Sequence, residues 1–370
     1  MAGAPPAPAR AVVRADGLAA LVEAVQTNCH IADARHAADL PLCIYLLQMR
    51  EFYRWEQGLA FGAPLDRVAV GTWLAGREAQ WATLQARTWV PLPCAQRHFD
   101  PFDADALNAE LVPHGLVYGA GLESAHQPAF FLARLEQLQV RGEGVVLQVC
   151  GREHARGLFA PPAALVGGQT IVLRRESLAR WLWEKFEAFS LRRAEGPFKA
   201  LVNAYGLHDE PAFIAALPRL VDELSETLVL HELGEHRAGL WLGPGWAAMR
   251  LALDQRRTDL LVRAVRDHIA DLEVTLPALL ECGDPAALHF WFANYEGVRE
   301  RLFPSLPGGY AAWRGGDGGQ ALRRALSAGA AHFRGLATQV LALHAGAGRQ
   351  AGPAIARLLT APQSVCPQRA

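Results

Sequence analysis

The chain has no C-x-x-C pair, no run approaching 20 apolar residues, no Walker loop and no G-x-S-x-G elbow, and each absence removes a class of protein. Its six cysteines, Cys29, Cys43, Cys94, Cys150, Cys282 and Cys366, stand singly with no secretory signal ahead of them. Reduced thiols in a reducing compartment are therefore expected. The opening MAGAPPAPAR lacks a charged n-region and an apolar h-region, which makes the cytoplasm the expected localisation. Excess charge of one sign is missing as well. With 36 basic against 37 acidic residues the formal net charge is −1, too little to draw a nucleic-acid backbone or anionic lipid. No nucleic-acid and no membrane partner is expected, and a small-molecule or protein partner is left unspecified. The absent elbow and phosphate loop remove the common hydrolase and nucleoside-triphosphatase signatures.

What is present is a globular composition, 51% hydrophobic and 20% charged, in 370 residues, which is long enough for two domains. Patterning predicts a mainly α protein with a small central α+β segment, two helical regions flanking a short sheet. A leader at 1–15 precedes an N-terminal domain at 16–195, with a helical bundle at 16–90 and a mixed α/β part at 110–195. The Gly196-Pro197 break starts a C-terminal helical domain at 196–306. In the first helix Leu18, Leu21, Val22, Val25 and Cys29 line one face, and PLCIYLLQMREFYRWEQG reads as a buried helix, apolar almost all round. LVYG, PAFFLA, GVVLQVCG and QTIVLRR have the β-branched and aromatic content of strands. SLPGGYAAWRGGDGGQ reads as a Gly-rich loop or linker, followed by a last helix and a fraying tail within 307–370.

The strongest chemical signal is H-E-L-G-E-H at 231–236. At 100° per residue, Leu217, Leu220, Val221, Leu224 and Leu228 fall within about 60° of one line, and His231 and Glu235 continue it. These two stand at the i, i+4 spacing at which helical metal ligands meet, and Glu232 and His236 form a second such pair. The motif is neither the zinc-protease H-E-x-x-H nor the di-iron Glu-x-x-His. Two N-terminal helices end their apolar stripes in the same way, one in Asp33 and His36, the other in Glu56. Together His231, Glu235, His236, Asp33, His36 and Glu56 make a candidate ligand set for a divalent metal (Fe, Mn or Zn), with Glu232 and Glu235 as candidate acid/base groups. Asp33 or His36 is expected close to His231 or Glu235, because burying one set of charges without the other is costly. The competing reading is a non-enzymatic interaction or accessory protein. There these groups form a buried salt-bridge network with partners such as Arg35, Arg50, Arg54 and Arg237, and Trp181, Trp183, Trp241 and Trp246 supply packing or an anchoring surface.

Three weaker features read as ordinary structure. Tyr118-Gly119-Ala120-Gly121 has Ser124 where a dinucleotide loop needs its third glycine, so a turn is expected. Asp267 and Asp271, clustered with His268, lie away from the stripe Leu261, Val265, Leu272 and read as a solvated face. Gly151-Arg152-Glu153-His154-Ala155-Arg156 reads as a charged turn with a surface salt-bridge cluster.

The strings NCHIADARHAADLPLCIYLLQMREFYRWE, GREHARGLFAPPAALVGGQTIVLRRESLARWLWEK and LVLHELGEHRAG resemble a family of bacterial proteins of unassigned function, divided into an N-terminal and a C-terminal domain. The resemblance covers about residues 20 to 310 and implies bacterial origin and a two-domain split. It implies no catalytic residues.

Overall fold

The computed structural model describes residues 15–124 and 127–367, so the expected leader, save Ala15, lies outside the described residues. Three helices open the chain, α1 (Ala15–His36), α2 (Leu42–Glu56) and α3 (Arg67–Leu84). Asp66 caps α3 by accepting a hydrogen bond from the Val68 amide at 2.9 Å. The proline-rich connector holds a hairpin, β1 (Leu92–Cys94) and β2 (Arg97–Phe99), and then α4 (Ala104–Leu111) behind an Asp103 cap.

All four expected strand segments enter one five-stranded sheet. Its strands β3 (Leu116–Ser124), β4 (Gln127–Val140), β5 (Val146–Arg156), β6 (Ala163–Val166) and β7 (Thr170–Arg174) lie in the order β3-β4-β5-β7-β6. Only β5 and β7 run parallel. Two expectations are corrected here. The 151–156 segment is the end of β5, with Glu153 buried against Arg174, and is not a surface turn. Gly119 and Gly121 lie inside β3 and make no turn. A Cβ on Gly119 would come 1.9 Å from the Phe131 ring, so this glycine makes room for an aromatic from β4.

α1 covers one face of the sheet, packing Leu21, Val25 and Cys29 against Tyr118, Phe130 and Leu132. Side-chain amides fix it in place. Gln26 holds the Arg156 backbone in both directions at 3.0 and 3.1 Å, and Asn28 does the same to Val90 at 2.8 and 2.7 Å. The first helices are thus docked on the sheet. α2, expected to be buried all round, leaves Leu42 71% exposed, with Ile44 and Leu46 also at the surface. It buries only the face that carries Met49, Glu51, Phe52 and Arg54.

After β7 the chain is helical: α5 (Arg175–Arg192), α6 (Pro197–Ala204), α7 (Glu210–Leu242), α8 (Pro244–Leu251), α9 (Arg256–Ala270), a π-turn over Asp271–Thr275, α10 (Leu276–Cys282), α11 (Pro285–Ala293), α12 (Val298–Leu302), α13 (Leu306–Arg314), α14 (Gln320–Ala347) and α15 (Gly352–Thr360). The Gly-rich stretch expected to be a linker is mostly α13. Its Gly309 lets the Leu322 backbone of α14 approach to 3.0 Å of where a Cβ would stand, so this glycine serves helix contact. The expected fraying tail carries α15, whose Ile355 and Leu359 are buried in the C-terminal core.

α7 joins the two parts of the molecule. Its first half packs Phe213, Leu217, Leu220 and Leu224 against α5. Val229 meets the sheet face formed by Leu147, Val149, Ile171 and Leu173, and Ala238 and Leu242 enter the C-terminal core. Trp183 and Trp246 are core residues, whereas Trp241 is exposed beneath the Arg334 guanidinium. All six cysteines are free thiols. Among the described residues no helix is long and apolar enough to cross a membrane.

Candidate metal centre

The H-E-L-G-E-H segment places each side chain in a different environment because α7 lies between α9 and the sheet. Gly234 faces α9. A Cβ there would stand 2.6 Å from the Ala270 carbonyl oxygen, so only glycine allows the two helices this approach. Leu233 packs toward the sheet core. His236 donates from Nδ1 to the Gly168 carbonyl in the β6–β7 turn at 2.6 Å, which ties α7 to the sheet and holds His236 away from the other ligand candidates. His231 and Glu235 face the last turn of α9 and are 22% and 12% exposed at the side chain. Glu232 and His236 are buried more deeply than the pair that continues the apolar line, since the buried arc of α7 has two covered sides.

Close packing at Gly234 brings the end of α9 and the following π-turn to His231. The ring Nδ1 lies 2.7 Å from Asp271 Oδ1 and the Nε2 lies 3.6 Å from Glu235 Oε1. Asp271 is fully buried and is held by Arg299 at 2.9 Å and by the Trp291 indole N–H at 3.1 Å. With Nδ1–H donated to Asp271, Nε2 is the nitrogen left for a ligand. Arg266 pairs with Glu235 and lies 3.6 Å from Asp267, whose Oδ1 is buried without a hydrogen-bond partner. Among the described residues, His231, Glu235 and Asp267 are the three side chains whose ligand atoms come within 4.8 Å of one another.

This cluster lines a cavity of about 420 Å³. Its far wall comes from β3, β4 and the 160–167 segment, with Gly119, Ala129 and Ala163 among the lining residues. Glu232 lines it beside the three, and Arg250, Arg263 and Arg266 add positive charge.

The protonation of the cluster follows from its crowding. Burial, then the charge of Glu235, pushes the Glu232 carboxyl well above the usual range, and the same two causes raise Asp267. Burial opposes charge on His231, but Asp271 and Glu235 hold its ring well above ordinary imidazole. Glu235, buried as it is, is kept low by Arg266 and His231.

Asp267 and Asp271, expected to be solvated, are thus the partners of His231. The stripe Leu261, Val265, Leu272 describes only what enters the C-terminal core, and α7 covers the side that carries Asp267. His268 is a core residue, stacked on Phe333 with ring centroids 4.0 Å apart and bonded through Nε2 to the Arg299 carbonyl at 3.1 Å. Asp33, His36 and Glu56 do not join the cluster. Asp33 accepts a hydrogen bond from the Leu158 amide at 3.0 Å, His36 lies 3.7 Å from Asp39, and Glu56 pairs with Arg77 and the Trp73 indole. His36 and Glu56 have an opposite charge at hand, whereas Asp33 has only the Leu158 amide: its Oδ2 is buried without a hydrogen-bond partner and burial pushes the carboxyl up to about 7, so a bound proton meets the desolvation argument there without contact between the two regions. No helix-face pattern marks Asp267, Arg266 or Arg299; the cluster of charge on α9 is the visible signal for the first two, and Arg299, on α12, has none.

Both parts of the chain match models of a single two-part family, the Family of unknown function (DUF6866) N-terminal domain over residues 20–174 and the DUF6866 C-terminal domain over 179–362. The chain belongs to the DUF6866 family. No curated protein and no solved structure matches it. The two family models meet at the start of α5, ahead of the Gly196 break. In this DUF6866 protein the three candidate ligands come from the C-terminal part, while the facing wall of the cavity comes from the N-terminal part.

Proposed function

We propose that this DUF6866 protein binds one divalent metal ion through His231 Nε2, Glu235 and Asp267, and that the ion acts on a small molecule held in the adjoining cavity. The observation that carries this reading is the cluster of three ligand atoms within 4.8 Å, with the second His231 nitrogen already bonded to a buried carboxylate at 2.7 Å. A carboxylate behind a ligand histidine fixes its tautomer and raises its basicity. The raised Glu232, Asp267 and His231 all favour bound protons, the two carboxyls through burial and the charge of Glu235, the imidazole through Asp271 and Glu235. A divalent ion would take the place of those protons. One imidazole and two carboxylates suit Mn, Fe or Zn.

Structural zinc sites close with four protein ligands, whereas three ligands beside a cavity leave a position for water or substrate. Glu232, on the same wall and inclined to keep its proton, is the candidate general acid/base. The Arg266–Glu235 ion pair favours a second reading, a salt-bridge network without metal. The two are separated by elemental analysis of untagged protein after growth in medium supplemented with Mn, Fe and Zn. The metal reading expects close to one ion per chain in the wild type and none in His231→Ala. Metal far below stoichiometry in the wild type would leave the ion-pair network.

A further inference from the structure

A second cavity, about 260 Å³, shares the Ala160–Pro161 segment with the first but is lined by different chemistry. Arg156 at the end of β5 and Gln48 of α2 face one side of α5, which contributes Ser177, Arg180, Trp181 and Glu184 at helical spacing. Arg156 and Arg180 are 9% and 6% exposed. The Arg156 backbone is clamped by Gln26, so its side chain springs from a fixed point.

The two guanidinium groups have carboxylates nearby, but several of their N–H groups lack an acceptor. Arg156 has a loose ion pair with Glu153 at 3.6 Å, and its buried Nε and Nη1 have no hydrogen-bond partner. Glu153 is already engaged by Arg174 at 3.0 Å and by the Ser177 hydroxyl at 2.6 Å. Arg180 gives Nη2 to Glu176 at 2.8 Å and Nη1 to the Glu51 carbonyl at 3.4 Å, while its Nε is without a partner, as is Gln48 Oε1. Burial, then repulsion from Arg156, pushes the Arg180 guanidinium down. Buried guanidinium N–H groups are costly unless an acceptor meets them.

We propose that this cavity binds a small oxyanion, a carboxylate or a phosphate, gripped by Arg156 and Arg180 beside the Trp181 ring. The planar guanidinium fork matches such oxygens. The volume is below the roughly 300–1,000 Å³ of common ligand pockets, which limits the ligand to a small metabolite or an inorganic ion. Glu184 completes the lining, and burial pushes it up to about 7, so below that pH it offers a proton donor to the anion. Above it, a charged Glu184 competes for Arg156 of β5 and Arg180 of α5, with Glu187 of α5 and Glu51 of α2 adding negative charge. The site stands independently of the metal reading.

The test is thermal denaturation and calorimetric titration of the full chain with sodium phosphate, acetate and succinate, against sodium chloride at equal ionic strength. At least one oxyanion is expected to bind saturably and raise the melting temperature while chloride does not; the arm that responds tells phosphate from carboxylate. Arg156→Met should weaken that binding about tenfold or more, and Arg156→Lys, which keeps the charge and loses the fork, should fall between. Acetate stays ionised across this range, so its binding should weaken as pH rises through about 7 in the wild type and lose that dependence in Glu184→Gln. Saturable binding by none of the three anions, or binding unchanged in both Arg156 variants, would overturn the proposal.

Discussion

Gly234→Ala should destabilise the protein even though alanine is the better helix former. Propensity alone favours the substitution by about 1 kcal/mol in a helix interior. The new Cβ would meet the Ala270 carbonyl oxygen at 2.6 Å and its carbon at 2.9 Å, where ordinary contact begins near 3.4 Å. Both are backbone atoms, so α7 and α9 must part by several tenths of an ångström. Overpacking of this kind costs about 1–3 kcal/mol, which outweighs the propensity gain or at least cancels it. Gly239, one turn and a half further along α7, has nothing within 4 Å of its Cβ position. Gly239→Ala should therefore stabilise by about 0.5–1 kcal/mol. Urea unfolding of the two variants, followed by tryptophan fluorescence and circular dichroism, should place them on opposite sides of the wild type or apart by about 1–3 kcal/mol. Equal stabilisation by both would refute the close α7–α9 approach, and with it the placement of Asp267 and Asp271 beside His231.

Asp271→Asn should lower divalent-metal affinity about 10–100-fold while leaving all three ligands in place, as read by competition with a chromogenic chelator. Arg174→Met should cost about 3–5 kcal/mol in chemical denaturation, because it takes the closest cation from the buried Glu153 carboxylate. Glu232→Gln should raise the melting temperature of metal-free protein near pH 7 and have little effect below about pH 4. The folded Glu232 carboxyl is raised, so above its unfolded value of about 4.3 ionisation favours the unfolded chain, at about 1.4 kcal/mol per pH unit until the folded group also ionises. An unchanged melting temperature across pH 4 to 8 would show that Glu232 is not held protonated.

Helical periodicity made much of this architecture legible. The α7 stripe from Leu217 to Leu228 led to His231 and Glu235, and the β-rich runs between 112 and 176 led to the sheet, because one buried face leaves a regular signal in sequence. The same logic failed where an element is covered on two sides. α9 puts Leu261 and Val265 into the C-terminal core and Asp267 beside His231 and Glu235 of α7, so the second face read as solvent. It failed again where glycine serves contact: Gly119 under Phe131 and Gly309 against Leu322 look like turns in sequence and are close approaches in the fold. Asp33, His36 and Glu56 drew attention for the same reason as His231, charge ending an apolar stripe. Nothing in one helix reports which groups, here the Leu158 amide, Asp39 and Arg77, will stand opposite them.

The most direct test of the metal centre is anomalous diffraction from crystals of the full chain soaked in Mn²⁺ or Zn²⁺, with data at wavelengths either side of the metal edge. A single strong peak within about 2.0–2.2 Å of His231 Nε2 and of carboxylate oxygens of Glu235 and Asp267 is expected, absent from crystals of His231→Ala. No peak at this position under saturating metal, or a peak that survives the loss of His231, would contradict it.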